Sequence, residues 1–201
     1  MRLIILLVLI ISLPAYAQEK LDTKEYNPNY CQFTASFPTE PYITKKCEDP
    51  NKPETCFNLI SFTEVFDLST TVRVEIICNP GSQELFEKFT PKVMENTVRA
   101  MTKETVLETF EVKANEQEKY RQVGLVGKGR KGLHDSIFIA QLWIADQSVM
   151  SVEAEISGET REDADRLFAD ILRTIGFAEE INQQRKASES APPSPENHSA
   201  D

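Results

Sequence analysis

The 201-residue chain has few of the side chains that enzymes most often use for catalysis or metal binding. It contains two His, four Cys and one Trp. No two cysteines are spaced as C-x₂-C, and neither a G-x-S-x-G nucleophile motif nor an H-E-x-x-H zinc motif occurs. This shortage argues against a zinc site and a redox-active dithiol. We therefore expect a protein that is not an enzyme and that uses no metal or cofactor.

Basic side chains are outnumbered as well. The 22 Lys and Arg residues stand against 32 Asp and Glu, which gives a formal net charge of −10 at pH 7. Such a chain lacks the broad basic surface that binds a phosphate backbone, so we expect no nucleic acid partner. Its 40% hydrophobic and 27% charged residues are ordinary for a globular protein, and its length fits one domain.

Residues 1–17 have the pattern of a signal peptide. Arg2 precedes an apolar run over Leu3–Leu13, and Ala15-Tyr16-Ala17 has the small-x-small form of a cleavage site. The run is short for a helix that must cross about 30 Å of hydrocarbon, so we expect cleavage after Ala17 and no transmembrane anchor in the mature chain. The sequence thus predicts an extracytoplasmic protein, either periplasmic or secreted.

Two further segments lie outside the predicted domain. Residues 18–29 are interpreted as an N-terminal linker. From Glu179 onward the chain has three Pro and one aliphatic residue larger than Ala, which is Ile181. Such a composition buries too little surface to offset the entropy of ordering, so residues 178–201 are predicted to form a disordered tail. The folded domain is expected over residues 30–177.

An exported chain meets an oxidising compartment, so the four cysteines are expected to form disulfides. Four cysteines allow three connectivities. The first two flank a turn centred at Thr39, since Cys31 begins a strand-like segment before that turn and Cys47 ends one after it. Folding about Thr39 would set the two cysteines opposite each other in antiparallel strands, where they come close to disulfide reach.

The other two cysteines repeat this arrangement. Cys56 and Cys78 are each eleven residues from Asp67, which lies between two segments rich in strand-forming residues. The symmetry favours a Cys56–Cys78 bridge together with a Cys31–Cys47 bridge. The main alternative joins Cys47 to Cys56 across the short loop between them, and Cys31 to Cys78 between more distant strands.

The remaining sequence predicts an α+β domain. A helical segment begins after Ser82, and Pro91 either kinks it or begins a second helix capped by Thr90. Four strands are predicted next, at Thr105–Val112, Lys119–Gly127, Ser136–Ala145 and Ser148–Ile156. An amphipathic helix follows at Ala164–Ile175. Short turns between consecutive strands predict a single-domain antiparallel sheet of about six to eight strands, flanked by helices in a sandwich-like arrangement.

One turn and the late part of the chain resemble a known group. Phe37-Pro38-Thr39-Glu40-Pro41 is similar to the FP-x-x-P turn of exported bacterial domains related to the PsbP and Mog1-like group. The portion from Val123-Gly124 to the Ala164–Ile175 helix is similar as well. The resemblance implies an antiparallel sheet between helices and an assembly or accessory role, and it brings no catalytic residue with it.

A glycine-rich segment is a candidate binding site. Residues 127–132 read G-K-G-R-K-G, which matches the dinucleotide fingerprint literally, but a strand rather than a helix is predicted to follow. We interpret the match as fortuitous. The basic side chains in this segment instead define a candidate anion-binding loop for a lipid headgroup or a partner's carboxylates, formed by Lys128, Arg130 and Lys131.

Other candidate residues form no convergent set in the sequence. His134 could serve a hydrolase only with distant partners, because neighbours along a strand point to opposite faces. Glu153 and Glu155 share one face of a predicted strand, which we interpret as solvated. The sequence therefore favours a non-enzymatic, exported accessory domain of the cell envelope that binds an envelope protein. The alternatives are a carrier of a small apolar or lipid ligand and, third, a hydrolase.

Overall fold

A computed structural model of the protein describes residues 23–102 and 106–190. The predicted signal peptide and the last part of the predicted tail lie outside these residues. The described strands are β1 Lys24–Tyr26, β2 Phe33–Phe37, β3 Tyr42–Cys47, β4 Cys56–Phe66, β5 Thr70–Pro80, β6 Val106–Glu116, β7 Tyr120–Lys131, β8 His134–Ala145, β9 Ser148–Gly158 and β10 Gly176–Phe177. The described α-helices are α1 Gln83–Lys88, α2 Pro91–Ala100, α3 Glu162–Arg173 and α4 Ala178–Ser190.

The strands form two antiparallel sheets. A seven-stranded sheet has the order β3-β4-β5-β9-β8-β7-β6, and a small sheet has the order β1-β2-β10. The predicted α+β class with an antiparallel sheet flanked by helices is therefore confirmed. The predicted hairpin about Thr39 is wrong, because β2 pairs with β1 and β10 while β3 pairs with β4.

Each face of the large sheet carries its own hydrophobic core. On one face, which we call the α3 face, α3 and the small sheet pack over buried side chains such as Val74, Ile76 and Met150. On the other, the α2 face, Met94 and Val98 pack over side chains of β7 and β8. Because β8 contributes to both cores, its sequence is apolar at both odd and even positions, as the prediction of a strand covered on both faces requires.

The helices cover only part of the α2 face. Helix α2 packs against β6, β7 and β8, and α1 packs against β8. The part of the same face that is formed by β3, β4, β5 and β9 borders solvent, where Val65 is 50% exposed and Ile77 is half-buried. This open part of the sheet is where the candidate site lies.

Helix α1 and helix α2 begin where the sequence indicates. The Ser82 Oγ accepts a hydrogen bond from the Leu85 backbone N–H, and the Thr90 Oγ1 accepts one from the Val93 N–H. Pro91 is the first residue of α2, so of the two alternatives the second helix is the correct one.

The C-terminal segment is helical over residues 178–190, whereas the sequence predicted disorder. Helix α4 is held by polar contacts more than by apolar burial: the Tyr120 hydroxyl donates to Glu180 at 2.9 Å, and Arg185 pairs with Glu25 at 2.5 Å. Ile181 lies over Gly176. A Cβ added at Gly176 would stand 3.1 Å from the Ile181 Cδ1. Apolar composition alone does not reveal such polar contacts. The linker prediction also fails at Lys24–Tyr26, which forms β1.

The contact between β7 and α4 makes stability depend on pH in the alkaline range. Burial and then the hydrogen bond to Glu180 raise the pKa of Tyr120 to about 12. An unfolded tyrosine titrates near a pKa of about 10, so the stabilisation is complete below about pH 10 and is lost as the pH rises towards 12. Urea unfolding below about pH 10 and near pH 12 should show a lower free energy of unfolding at the higher pH. The Tyr120→Phe variant should show a smaller decrease. An equal decrease in the variant would contradict the conclusion that Tyr120 contributes to this pH dependence.

Candidate functional site

A groove lies on the open part of the α2 face. Its volume is about 520 Å³, and its walls are formed by alternate side chains of neighbouring strands together with Lys46 of β3 and Lys131 of β7. We call it the sheet groove. The lining residues are Lys46, Phe57, Leu59, Arg73, Glu75, Ile77, Lys131, Ser151, Glu153 and Glu155.

Strand register places these side chains together. Leu59 of β4 is opposite Ile77 of β5, and these two residues contribute with Phe57 to the apolar floor of the groove. Since side chains alternate between the two faces of a sheet, the odd-numbered residues of β4, β5 and β9 share the α2 face. Leu59 is 8% exposed, whereas Phe57 and Ile77 are half-buried and keep contact with solvent.

Charged side chains lie beside the apolar floor and neutralise one another. Arg73 is opposite Glu155 in the register of β5 and β9, and its guanidinium donates to Glu75 at 2.5 Å. Lys131 reaches Glu155 at 3.5 Å, where the Glu155 side chain is only 11% exposed. The interpretation of Glu155 as part of a solvated strand face is therefore wrong. A carboxylate buried to this degree needs such partners, because desolvation without them is costly.

The edge strand β3 borders the groove and is tied to β4 by a disulfide. Cys47 is directly opposite Cys56 in the register, and the bridge between them spans a Cα–Cα distance of 3.9 Å. The second bridge joins Cys31 to Cys78, both buried, and so links the segment entering β2 to β5. The structure thus has two disulfides as predicted, in the alternative pairing. The favoured Cys31–Cys47 and Cys56–Cys78 pairing is wrong.

Two features explain this correction. The first favoured bridge required a hairpin between β2 and β3, which belong to different sheets. The second required a hairpin centred at Asp67, but Phe66 is opposite Thr70, so the centre is Leu68. In that register the position opposite Cys56 is residue 80, two residues beyond Cys78. The rule that opposed residues can bridge was sound, and it applies to β3 and β4.

The predicted anion-binding residues are part of a strand rather than a loop. Lys128, Arg130 and Lys131 lie in β7, and the turn after them consists of residues 132–133. Lys128 pairs with Asp135 at 3.0 Å, and Arg130 lies 3.9 Å from the same carboxylate. The contact with Lys128 and then the charge of Arg130 hold the pKa of Asp135 below its usual value, although slight burial opposes them. Anion binding by these residues stays a prediction.

The structure places His134 at the start of β8, where its side chain is exposed. This exposed position outside the sheet groove disfavours the hydrolase alternative, which needs His134 inside a pocket. Within residues 23–102 and 106–190, no three His, Cys, Asp or Glu side chains converge as metal ligands would. No helix in the same ranges is long and apolar enough to cross a bilayer.

Sequence reasoning did not find the groove. Phe57, Leu59 and Ile77 occupy odd positions of strands whose even positions also carry apolar side chains, so the pattern alone indicates a strand covered on both faces. The structure marks this surface by exposed apolar residues of β3 and β4, and exposure cannot be read from the sequence pattern. Tyr42 is 74% exposed and Val65 is 50% exposed, and both lie on the α2 face.

Comparisons with known proteins give a distant likeness of fold. No family model and no curated protein match the chain. The fold is similar to the solution structure of cyanobacterial PsbP (CyanoP) from Synechocystis, at 8% identity and a TM-score of 0.41 over 82% of this chain and 97% of that one. It is also similar to the crystal structure of Mog1p, a Ran-binding protein of Saccharomyces cerevisiae, at 12% identity and a TM-score of 0.37 over 80% and 98% of the two chains. Both TM-scores are below 0.5, so these likenesses carry no argument about the family or the function of this chain.

Proposed function

We propose that this protein is a non-enzymatic, exported accessory domain of the cell envelope that binds a partner protein at the sheet groove. The observation that carries the proposal is the uncovered part of the α2 face. A sheet face with an apolar floor ordinarily packs against another layer of structure. Within residues 23–102 and 106–190 no such layer covers the α2 face of β3, β4 and β5, and Tyr42, Val65 and Ile77 remain in contact with solvent there.

The chemistry of the groove fits a protein surface better than a reaction centre. The one hydroxyl among its lining residues is Ser151, and the lining contains no His or Cys. The buried carboxylate of Glu155 and that of Glu75 face cations within the groove. A buried apolar centre with charged side chains around it is the usual composition of a protein–protein interface. Two disulfides support function in an oxidising compartment.

Site-specific photo-crosslinking tests the proposal. A photoreactive phenylalanine analogue placed at Tyr42 or at Phe57 should crosslink one envelope protein, because both positions face the open part of the sheet. The same analogue at Leu133, which is 96% exposed in the β7–β8 turn, is the matched control. The crosslinked protein is identified by mass spectrometry and then reconstituted with the purified domain. Equal labelling at all three positions, or no product at Tyr42 and Phe57, would contradict the proposal.

The volume of the groove favours one second candidate, a carrier of a small apolar or lipid ligand. About 520 Å³ is within the range of small-molecule sites, although such sites usually enclose most of the ligand. Organic extraction of the purified protein followed by mass spectrometry separates the two. A lipid recovered in a one-to-one ratio, and lost on Ile77→Asp, would favour the carrier. A protein partner without such a lipid favours the accessory domain.

A further inference from the structure

The two edges of the seven-stranded sheet differ in regularity. At one edge, β3 pairs with β4 through six consecutive residue pairs without a break. At the other, β6 has register shifts at Val106/Glu108 and at Thr109/Glu111. Bulges of this kind disturb the row of free backbone groups and deter pairing with another strand. The edge at β3 therefore keeps a regular row of backbone donors and acceptors.

The register identifies which groups of β3 face outward. In an antiparallel pair, hydrogen-bonded and non-hydrogen-bonded residue pairs alternate along the strands. The Glu48 N–H donates to the Thr55 carbonyl, and the next pair, Cys47 and Cys56, has the short Cα–Cα distance of 3.9 Å. Cys47 is thus at a non-hydrogen-bonded position towards β4. By alternation the backbone N–H and C=O groups of Ile43 and Lys45 also point away from β4, towards the free edge.

The charges at this edge select the kind of strand that can pair there. Lys45 and Lys46 are exposed, and neither has an acidic partner among residues 23–102 and 106–190. This is a locally basic edge on a chain of net charge −10. Two copies of β3 paired edge to edge would bring four lysines into neighbouring positions, and like charges in such positions are destabilising. An acidic strand would meet favourable charges.

The Cys47–Cys56 bridge keeps this edge in place. Five of the six side chains of β3 are exposed, so the strand gains little from burial. Among the strands that the structure describes, only β4 is hydrogen-bonded to it. A covalent link to β4 at its C-terminal end compensates for that weak attachment. A strand held in a regular conformation before binding loses less entropy when a partner pairs with it.

We propose that β3 is the template for strand addition, in which an extended acidic segment of the partner pairs with the free edge at Ile43 and Lys45. This inference rests on the proposed function and names the chemistry of the partner. The added strand extends the seven-stranded sheet to eight. The side chains on one of its faces lie beside Tyr42 and continue the apolar floor of the sheet groove, while the carboxylates on its other face lie near Lys45. Backbone hydrogen bonds supply affinity and the alternate side chains supply specificity.

Amide hydrogen exchange on the whole protein tests the geometry. The probe is an end-blocked peptide of about ten residues in which valine or threonine alternates with glutamate, a strand-forming pattern. The control peptide has lysine in place of glutamate. The acidic peptide should slow exchange at the Ile43 and Lys45 amides, which face the free edge, and should leave Thr44 nearly unchanged because its amide already bonds to β4. Protection at Thr44 alone, or equal protection by both peptides, would overturn the proposal.

Two substitutions at one position separate the backbone contribution from the charge. Lys45→Pro removes the outward N–H, and with the altered backbone angle it should weaken peptide binding about tenfold or more. Lys45→Gln keeps that N–H and removes the charge, so it should weaken binding less and reduce its dependence on salt. Lys92→Gln, on an exposed position of α2, is the charge control and should have no effect. Thermal unfolding shows whether the proline variant is folded, and if it is not, the exchange pattern of the unsubstituted protein decides.

The outcomes distinguish the inference from the function on which it rests. If the protein crosslinked at Tyr42 is captured equally well by Lys45→Pro and by the unsubstituted domain, strand addition is wrong and partner binding at the groove stands. If no protein is crosslinked, the proposed function fails, and the peptide measurements still report whether the edge accepts a strand.

Discussion

Replacing Gly158 by alanine is expected to destabilise the protein by more than about 3 kcal/mol, because the change combines an impossible contact with a strained backbone. Gly158 has φ +122°, a conformation that residues with a Cβ rarely adopt. An added Cβ would stand 2.0 Å from the Ser69 carbonyl oxygen and 2.7 Å from the Thr70 Cα. Both are backbone atoms, so neither can rotate away as a flexible side chain would.

The contacts around Gly158 explain why the backbone cannot relax. The Thr70 hydroxyl donates to the Glu159 carbonyl at 2.6 Å, and the Glu159 N–H donates to the Ser69 carbonyl at 3.3 Å. The end of β9 is thereby fastened to the turn between β4 and β5. Arg161 reinforces the same junction through an ion pair with Asp67. Separating the two segments would break this junction.

Gly132 is the matched control for this prediction. It also has positive φ, at +64°, but no atom lies within 4 Å of where its Cβ would be. Gly132→Ala should therefore cost only about 1 kcal/mol, the usual cost of a left-handed conformation in a residue with a side chain. Urea unfolding of both variants measures the difference. If both variants lost the same free energy of unfolding, β9 would not approach the β4–β5 turn as closely as the structure shows.

Removing the Cys31–Cys78 bridge should have the larger effect of the two disulfides. The bridges close segments of 47 and 9 residues, so the chain-entropy model gives losses of about 4 and about 2.5 kcal/mol. Paired alanine substitutions are used, since serine would leave a hydroxyl at the buried Cys31 and Cys78 positions. Urea unfolding of the two double variants, both under oxidising conditions, gives the comparison.

The two variants should also differ in where exchange protection is lost. Without Cys31–Cys78, the small sheet loses its covalent link to β5, and protection should fall in β2 and in the aromatic cluster of Phe33, Trp143 and Phe177. Without Cys47–Cys56, the loss should stay near β3. Non-reducing peptide mapping checks the pairing directly. Recovery of a Cys31–Cys47 peptide would contradict the structure.

Local features of the fold could be predicted because their causes lie within a few residues. Ser82 and Thr90 cap helices whose first turns they touch. The alternation from Met150 to Ala154 identified the buried face of β9, since a strand exposes every second side chain. For the same kind of reason Pro91 predicted either a kink or the start of a second helix, as proline has no backbone N–H to donate, and the structure shows a second helix.

Other features depended on contacts between distant parts of the chain. The register of the β4–β5 hairpin follows from a turn in which Asp67 and Leu68 both have positive φ. A glycine at either position would have indicated such a conformation in the sequence, whereas Asp and Leu do not. Helix α4 is ordered by partners in β7 and β1, which its own composition does not reveal. The groove exists because α2 packs over β6, β7 and β8 and α1 packs over β8, away from the lining residues in β4 and β5, and no pattern within β4 or β5 records this placement.

The four cysteines illustrate the difference between what local sequence determines and what distant contacts determine. Their number, together with the predicted export, led to two disulfides from the sequence by itself, and the sequence likewise determined the α+β class and most strand and helix positions. Tertiary structure alone decided which cysteines pair, which edge of the sheet stays open and which half of the α2 face is uncovered. The physical reason is that secondary structure depends on interactions a few residues apart, whereas strand partners and layer packing depend on contacts such as Gln32 with Ser148, 116 residues apart.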